Sequence, residues 1–180
     1  LSVLAFSILN RRLSLIEKFN SKFLDYYKAI SGIEGVKIKY QSTITACSED
    51  ELLEILNRKK SEEIRMGMSV IGPHRDRITF VKDDIPFDRQ ASNGQKRLMS
   101  LILRVLQAKF YTEKTNKKPI ILMDDVMLEL DNETRRKFMS LLPEYKQLFC
   151  TFLKGETFED YKLKKTKVFF VEDGVLSERS

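Results

Sequence analysis

The sequence predicts an α/β protein whose mainly parallel sheet is covered by helices. Two observations support this prediction: strand and helix patterns alternate through residues 67–180, and one long amphipathic helix pattern precedes them. Alternation of this kind indicates strands joined by helical crossovers, which lie parallel in one sheet. A chain of 180 residues is long enough for one hydrophobic core, or for a core with a small appendage.

Composition and charge restrict the class of protein. Hydrophobic residues make up 42% of the chain and charged residues 32%, which is typical of a soluble globular protein and not of a disordered one. The net charge of +6 permits a polyanionic partner, such as DNA or a nucleotide, without requiring one. We find no internal repeat and no low-complexity tract.

The cysteines and the apolar runs indicate the compartment. Cys47 and Cys150 have neither the spacing of a metal site nor that of a disulfide framework, so we expect reduced residues of a cytosolic protein. No apolar run reaches the length of a transmembrane helix, so we expect a cytoplasmic protein without membrane contact. The chain starts at Leu1 within a helical pattern, and we expect a fragment of a longer protein.

The first element is a long amphipathic helix over residues 2–30, ended by Ser31 and Gly32. Its apolar residues recur at steps of three and four, as one buried helix face requires. The residues of this face are Phe6, Leu9, Leu13, Ile16, Phe19, Phe23 and Tyr26. Such a face packs in a core more often than it binds a partner, and the spacing alone does not distinguish the two.

A strand and a second helix follow. Residues 36–40 alternate apolar side chains with Lys37 and Lys39, which predicts a half-exposed strand with a basic outer face. Residues 48–51 have the spacing of a capping box, so we expect a helix to begin there. We interpret its charged run, residues 58–63, as a solvated face.

A glycine-proline turn is predicted between two short strands, residues 68–71 and 78–81. The side chains that this turn can present together are His74, Arg75 and Arg77. Guanidinium groups so placed suit a phosphate, because each can grip a pair of oxygens. Alternatively, Arg75 and Asp76 pair with neighbours and hold the turn, and the sequence leaves both interpretations open.

Residues 92–97, Ser-Asn-Gly-Gln-Lys-Arg, directly precede a third helix pattern. A polar loop at residues 113–118 follows that helix. The apolar residues of that helix face are Leu98, Leu101, Ile102, Val105 and Leu106. Ser92 and Gly94 leave backbone N–H groups free at the positive end of the helix dipole, which favours an anion. Taken alone, the same residues form an ordinary N-cap.

Residues 119–131 are the stretch on which the functional prediction depends most. The apolar run 120–123 ends in Asp124 and Asp125, which predicts a strand buried on both faces with two carboxylates at its C-terminal end. Ligands of open α/β sheets bind at that edge. The pattern is that of a Walker B strand, in which the first acid holds Mg²⁺ and the next residue orients the attacking water. A lone aspartate after a buried strand can instead cap the following turn.

The remaining patterns complete the alternation. We expect a helix at residues 132–142, capped by Asp131 and stopped by Pro143. Two further strands and a turn are expected at residues 147–152, 167–171 and 172–174.

Three motifs, in order, resemble the RecF family of bacterial recombination and repair proteins. Residues 92–97 are similar to its signature motif, and residues 121–131 are similar to its Walker B strand and D-loop. Residues 72–76, Gly-Pro-His-Arg-Asp, are similar to a motif of that family's own. The resemblance covers most of the chain and implies the C-terminal part of an ABC- and SMC-type P-loop ATPase. Residues 1–66 would then end a helical arm (lobe II), and residues 67–180 would be the C-terminal part of the ATPase head.

The resemblance also implies roles for single residues. In the ABC and SMC ATPases, ATP is sandwiched between two subunits, and the signature motif of one closes over the γ-phosphate held by the other. The signature residues implied to contact the nucleotide of the opposite subunit are Ser92, Asn93, Gly94 and Gln95. Asp124 is implied to serve Mg²⁺, Asp125 the water, and Asp131 to be the D-loop acid at the dimer seam.

The chain departs from the pattern at several positions. No G-x-x-x-x-G-K-[ST] sequence occurs in the 180 residues, so they lack the Walker A loop that holds the phosphates of ATP. Asn93 stands where the family usually has Gln, and Asp125 is shorter than the Glu of most ABC ATPases, which implies slow turnover. The switch histidine has no counterpart, since His74 is the one histidine; Thr151 is a candidate for that place, without an assigned role.

The expected function follows from the resemblance. A RecF-like parent would bind DNA at junctions of single- and double-stranded gaps, dimerise with ATP, and assist RecA loading together with RecR and RecO, in repair, replication and the SOS response. The isolated chain is expected to have little or no ATPase activity. The alternatives are another SMC-like ATPase, such as an overcoming-lysogenisation-type nuclease subunit, or a catalytically silent module that binds DNA or protein. The candidate DNA-contacting residues are Lys37, Lys39, Arg75 and Arg77.

Overall fold

The computed structural model describes residues 1–126, 130–153, 155–156 and 158–179. Its first element is helix α1, Ser2–Ser31, which ends where Gly32 adopts a φ of 71° and donates its N–H to Lys28 O. The predicted long helix is confirmed. Its buried hydrophobic residues are Ala5, Leu9, Phe19, Phe23, Tyr27 and Ile30. Leu13, expected on the inner face, is exposed.

An antiparallel three-stranded sheet packs against α1. Its strands, in spatial order, are β1 (Val36–Gln41), β2 (Arg77–Lys82) and β3 (Ile85–Pro86). Val36 and Ile38 supply the face that packs on α1, as the alternation in β1 predicts, and Phe80, which pairs with Ile38, lies on the same face. The turn before β3 is made by Asp83 and Asp84, which both have a positive φ that aspartate tolerates better than most residues.

Helix α2, Glu49–Met66, lies between β1 and β2 in the chain. Ser48 is its N-cap, and Ser48 Oγ accepts the N–H of Glu51 at 3.2 Å. The Glu51 carboxylate reaches back to the N–H of Cys47 at 2.7 Å, so the reciprocal cap that the sequence predicts forms one residue earlier. Leu52 is fully buried, whereas most of the charged run at 58–63 is exposed.

The predicted strand at residues 68–71 is wrong. Side chains, and not a neighbouring strand, satisfy the backbone groups of this segment. The N–H of Val70 donates to Glu63 Oε1 at 2.8 Å, and the carbonyl of Ser69 accepts Arg75 Nε at 2.8 Å. Since each of these groups already has a partner, no strand ladder forms.

The second half of the chain alternates helices and strands. These elements are α3 (Asn93–Thr115), β4 (Ile120–Met123), α4 (Asn132–Ser140), β5 (Gln147–Cys150), β6 (Val168–Glu172) and β7 (Val175–Arg179), with 3₁₀ turns at Phe87–Arg89 and Glu159–Tyr161. Strands β4 and β5 pair in parallel, and β6 and β7 form an antiparallel hairpin around the predicted turn. The α/β class is confirmed, and its parallel part is the β4–β5 pair.

One hydrophobic core joins α1, β1, α3 and the parallel pair. Phe23, Tyr27 and Ile102 are fully buried in it, and Met123 of β4 and Phe138 of α4 close it on the other side. Truncating a fully buried aromatic side chain such as Phe23 to alanine costs about 3–5 kcal/mol. This core fixes the direction in which β4 ends, and therefore where its two aspartates lie.

The expectation that β4 is buried on both faces is wrong for this chain. Met123 packs into the core, but Ile120 is 58% exposed and Leu122 is 74% exposed. On the neighbouring strand Phe149 is 50% exposed on the same side of the pair, because register aligns Leu122 with Phe149. The described helices pack on one face of the β4–β5 pair, so its other face remains an apolar surface.

No described helix is long and apolar enough to cross a membrane.

Candidate functional site

The candidate site lies where β4 and β5 end side by side. The parallel register pairs Met123 with Cys150, so the next residues along, Asp124 and Thr151, are neighbours. The N–H of Thr151 donates to Met123 O at 3.1 Å and extends the ladder by one bond. The predicted position of the acidic pair at the C-terminal edge of a parallel strand is therefore found in the structure.

Thr151 contacts both aspartates through one hydroxyl. Thr151 Oγ1 donates to Asp124 Oδ1 at 2.9 Å and accepts the N–H of Asp125 at 3.0 Å. Asp125 has a φ of 51°, a left-handed conformation that costs a non-glycine residue about 1 kcal/mol. Both carboxylates are solvent-exposed, and that of Asp125 has no hydrogen bond or ion pair with another described residue. The site thus holds the backbone of Asp125 and leaves its carboxylate available.

Arg97 links the acidic pair to helix α3. Its guanidinium donates from Nη2 to the carbonyl of Asp125 at 3.1 Å. Arg97 is the last residue of the predicted signature stretch, 92–97, so this bond fastens the start of α3 to the end of β4.

The start of α3 is an exposed capping box. Ser92 Oγ accepts the N–H of Gln95 at 3.2 Å, and the Gln95 side-chain oxygen accepts the N–H of Ser92 at 2.8 Å. The ordinary N-cap interpretation is confirmed as local geometry. Within the described residues, the N–H groups of Asn93 and Gly94 have no partner, and both residues are exposed. A first turn of this kind can still receive an anion.

Gly94 is not required by the fold of the described residues. Its φ is not positive, and a Cβ added there would meet only Ser92 Oγ, at 4.0 Å. A glycine with neither a conformational nor a packing reason inside the chain lowers helix stability by about 1 kcal/mol relative to alanine. The space in front of it is open, which suits close approach of a ligand to the backbone.

Asp131 caps helix α4, as predicted. Its Oδ1 accepts the N–H groups of Glu133 and Thr134 at 3.1 and 3.0 Å. Hydrogen bonds from Thr134, by side chain and then by backbone, lower the pKa of Asp131 below its ordinary value. The centre of the predicted D-loop, Met127 to Glu129, lies outside the described residues.

A buried arginine ties the segment before α4 to the loop after β5. Arg135 Nε donates to Leu130 O at 2.6 Å, and its Nη2 lies 3.3 Å from Glu156 Oε1. Glu156 also accepts the N–H of Leu153 at 3.2 Å. These bonds hold the end of the predicted D-loop against the strand end that carries Thr151.

The Gly-Pro-His-Arg-Asp turn is held from inside by Asp76, whose side chain is 1% exposed. Its carboxylate accepts the N–H of Thr43 at 2.9 Å, a hydrogen bond from the Tyr40 hydroxyl, and an ion pair from Arg12 at 3.4 Å. Burial raises the pKa of Asp76, but the hydrogen bonds, from Tyr40 first, outweigh it and leave the pKa below its ordinary value. Of the two open interpretations, the structure favours the one in which this turn is held by its neighbours.

The predicted basic surface is partly neutralised. Lys37 and Lys39 lie 3.6 and 3.3 Å from the same oxygen of Asp84, so neither is a free cation. The Arg75 side chain donates to Ser69 O, whereas the Arg77 side chain has no hydrogen bond or ion pair with a described residue. An open hollow of about 410 Å³ lies between Arg75, Arg77 and exposed methionines of the 66–68 segment, and shares no residue with the acidic pair.

The acidic pair fits a divalent cation only in part. No group of three or more His, Cys, Asp or Glu side chains in the described segments could hold a metal ion. Mg²⁺ typically takes one or two protein carboxylates and completes its shell with water and substrate phosphates. Asp124 has the chemistry of such a single ligand, and Thr151 fixes one of its two oxygens.

Sequence patterns placed Arg97 in the signature stretch but gave neither Arg97 nor Thr151 a role, and they did not reveal the Arg135–Glu156 pair. The signal for Thr151 is that it follows a parallel neighbour of β4 directly, since neighbouring parallel strands end at one edge. Arg97 and Arg135 contact backbone carbonyls far away in sequence or across a turn, and residue type alone does not indicate such bonds.

The curated relatives that the chain matches are RecF proteins, although the comparison with family models gives no match. The DNA replication and repair protein RecF of Treponema pallidum is 44% identical over 99% of this chain and 51% of its own length. RecF of Lactobacillus johnsonii is 30% identical over 99% of this chain and 50% of its own. RecF of Leptospira interrogans is 33% identical over 93% of this chain and 46% of its own.

Solved structures agree on the fold. The chain matches a structure of the recombination mediator protein RecF-ATP in the RecFOR pathway, with a TM-score of 0.77 and 21% identity. A second match, to RecF-ATPrS, has a TM-score of 0.73 and 20% identity. Each match covers 99% of this chain and 48% of the solved chain. The chain therefore spans about half the length of the proteins it matches.

Proposed function

Since this chain belongs to the RecF family, we propose that it is the C-terminal half of an ATP-binding DNA replication and repair protein. One observation supports the proposal most: Thr151 and Arg97 hold the Asp124–Asp125 pair at the end of β4, and Arg97 belongs to the helix that begins with the signature residues. The candidate water-orienting acid, Asp125, and the candidate signature residues are thereby held in a fixed position relative to each other.

The roles within this half follow from exposure and hydrogen-bonding capacity. Asp125 has an exposed carboxylate, without a partner among the residues that the structure describes, that can accept a hydrogen bond from an attacking water. Asp124 would supply one ligand to Mg²⁺, which neutralises phosphate charge when bound. Ser92, Asn93, Gly94 and Gln95 form an exposed helix start whose backbone N–H groups can stabilise charge on the γ-phosphate of the opposite subunit.

The apolar face of the β4–β5 pair supports an assembly larger than this chain. Ile120, Leu122 and Phe149 form an exposed surface on one side of two central strands. Burial of such side chains is worth about 1.5–3 kcal/mol each. We propose that the other half of a RecF protein covers this face and supplies the phosphate-binding loop that the 180 residues do not contain. The chain on its own should then show little ATPase activity.

The same proposal includes a division of the chain between residues 66 and 67 into an arm and a head segment, and an ATP-dependent homodimer with Asp131 at its seam. It also includes DNA binding at gap junctions, cooperation with RecO and RecR in RecA loading, a part in the SOS response and a cytoplasmic location. A solved structure with the same fold is described as the recombination mediator protein RecF-ATP in the RecFOR pathway, which supports the part of this proposal that concerns RecO and RecR. If Arg77 and its neighbours contact the phosphate backbone, duplex affinity should fall steeply with rising salt; a flat salt response would remove the phosphate-backbone role.

The experiment that tests the proposed chemistry uses the full-length protein carrying this sequence. Asp125→Asn should abolish ATP turnover while ATP-bound dimers accumulate, because the amide keeps the volume but loses the proton-accepting carboxylate. Asp88→Asn is the matched control, since Asp88 is an exposed aspartate outside the site. Unchanged turnover in Asp125→Asn would remove Asp125 from the chemistry.

A further inference from the structure

The hydroxyl of Thr151 contacts both aspartates of the candidate site. Thr151 follows β5 directly, and its own N–H is fixed by Met123 O at 3.1 Å. Its Oγ1 lies 2.9 Å from Asp124 Oδ1 and 3.0 Å from the N of Asp125. The backbone of Thr151 is therefore anchored to β4 before its side chain makes any contact.

The direction of each hydrogen bond is determined by chemistry. An ionised carboxylate only accepts, so the hydroxyl hydrogen of Thr151 points to Asp124. The backbone N–H of Asp125 only donates, so it uses a lone pair of the same hydroxyl. One group thus orients the Asp124 carboxylate and, at the same time, satisfies the amide of Asp125.

The second bond matters because of the backbone conformation of Asp125. A φ of 51° is unfavourable for a residue with a side chain and persists where the surroundings determine it. Thr151 binds the N–H of Asp125, and Arg97 binds its carbonyl. The peptide groups on both sides of the strained residue are therefore held, and the direction of its carboxylate is set by them.

We infer that Thr151 is a positioning residue for ATP hydrolysis, which holds Asp125 in its left-handed conformation and fixes one oxygen of the Asp124 carboxylate. This inference rests on the proposed function. It assigns Thr151 no contact with ATP or water: Thr151 acts through the two aspartates. A valine at this position would keep the β-branched shape and lose both hydrogen bonds, whereas a serine would keep both.

The test compares Thr151→Val with Thr151→Ser in the full-length protein, with Thr115→Val as control. Thr115 lies at the far end of α3, and its hydroxyl donates to Tyr111 O at 2.8 Å and accepts the N–H of Lys117 at 3.3 Å, so valine there also removes two hydrogen bonds, but away from the site. We expect kcat for ATP to fall about tenfold in Thr151→Val, with KM for ATP nearly unchanged, because a small misplacement of a reacting group is costly. Thr151→Ser and Thr115→Val should stay within about twofold of wild type.

A second measurement does not depend on turnover. Hydrogen–deuterium exchange of the Asp125 amide, without nucleotide, should be about tenfold faster in Thr151→Val and close to wild type in Thr151→Ser, because only valine removes its acceptor. Equal turnover by wild type and Asp125→Asn would overturn the proposed function, and the positioning role with it. An active wild type with unchanged kcat, or unchanged amide exchange, in Thr151→Val would overturn the role of Thr151 alone.

Discussion

The guanidinium of Arg97 and the carbonyl of Asp125 are joined by a 3.1 Å hydrogen bond between residues 28 positions apart. It connects helix α3, which Ser92 caps, with the acidic pair that directly follows β4. In a sandwich dimer, the first of these would face the nucleotide of the opposite subunit and the second the nucleotide of its own. A shift of the start of α3 would therefore move the backbone of Asp125, and a shift of Asp125 would move the start of α3.

Arg97→Gln should slow ATP turnover of the full-length protein by about tenfold, because the carbonyl of Asp125 loses its partner and the strained residue can turn. Arg104→Gln is the control on the same helix, since the one side-chain hydrogen bond of Arg104 within the described residues goes to Gln107, at 3.3 Å. Steady-state ATPase assays measure the difference. Equal rates for the two variants would show that the Arg97 bond does not position Asp125.

Asp76→Asn should destabilise the protein by about 2 kcal/mol, because an amide cannot accept all the hydrogen bonds that the carboxylate accepts. Asp88→Asn should change the free energy of unfolding by less than about 0.5 kcal/mol, as expected for an exposed residue. Urea unfolding at pH 7 compares the two. A loss in Asp76→Asn as small as in the control would mean that the turn is not held by Asp76.

The effect of Asp76 should also depend on pH. Its pKa in the folded protein lies below the value of about 3.9 for an unfolded aspartate. The stability it contributes is therefore fully present above about pH 4 and is lost as the pH falls through the folded-state pKa. The gap in unfolding free energy between wild type and Asp76→Asn should narrow below pH 4. A gap that stays constant down to acid unfolding would contradict the lowered pKa.

Arg135→Met should cost about 2 kcal/mol, because it leaves Leu130 O without its donor and Glu156 without its cation in a mostly buried place. Arg136→Met, one residue further along, is the matched control, since Arg136 is exposed. The free energies of unfolding in urea decide between them, and equal values would remove Arg135 from the links that hold the D-loop end.

Much of this architecture could be predicted from local patterns. The apolar run before Asp124 gave the strand and its direction, and Ser92 with Gln95 gave the helix start, because both signals lie within a few neighbouring residues. Residues 68–71 have a strand pattern but bond to Glu63 and Arg75, which only the tertiary structure brings near. The exposed face at Leu122 was not predicted, because an apolar run in the sequence indicates that a strand is buried but does not show whether this chain or another part of the protein buries it.

The mass in solution of the full-length protein, with and without Mg-ATP, tests the central claim most directly. Wild type should form ATP-dependent dimers, and Ser92→Arg should bind nucleotide as a monomer without dimerising, because arginine would fill the space where the signature meets the opposing γ-phosphate. Ser100→Arg, at an exposed position of the same helix, should dimerise like wild type. Equal dimerisation by wild type and Ser92→Arg, or none by either, would contradict the sandwich and favour a catalytically silent binding module.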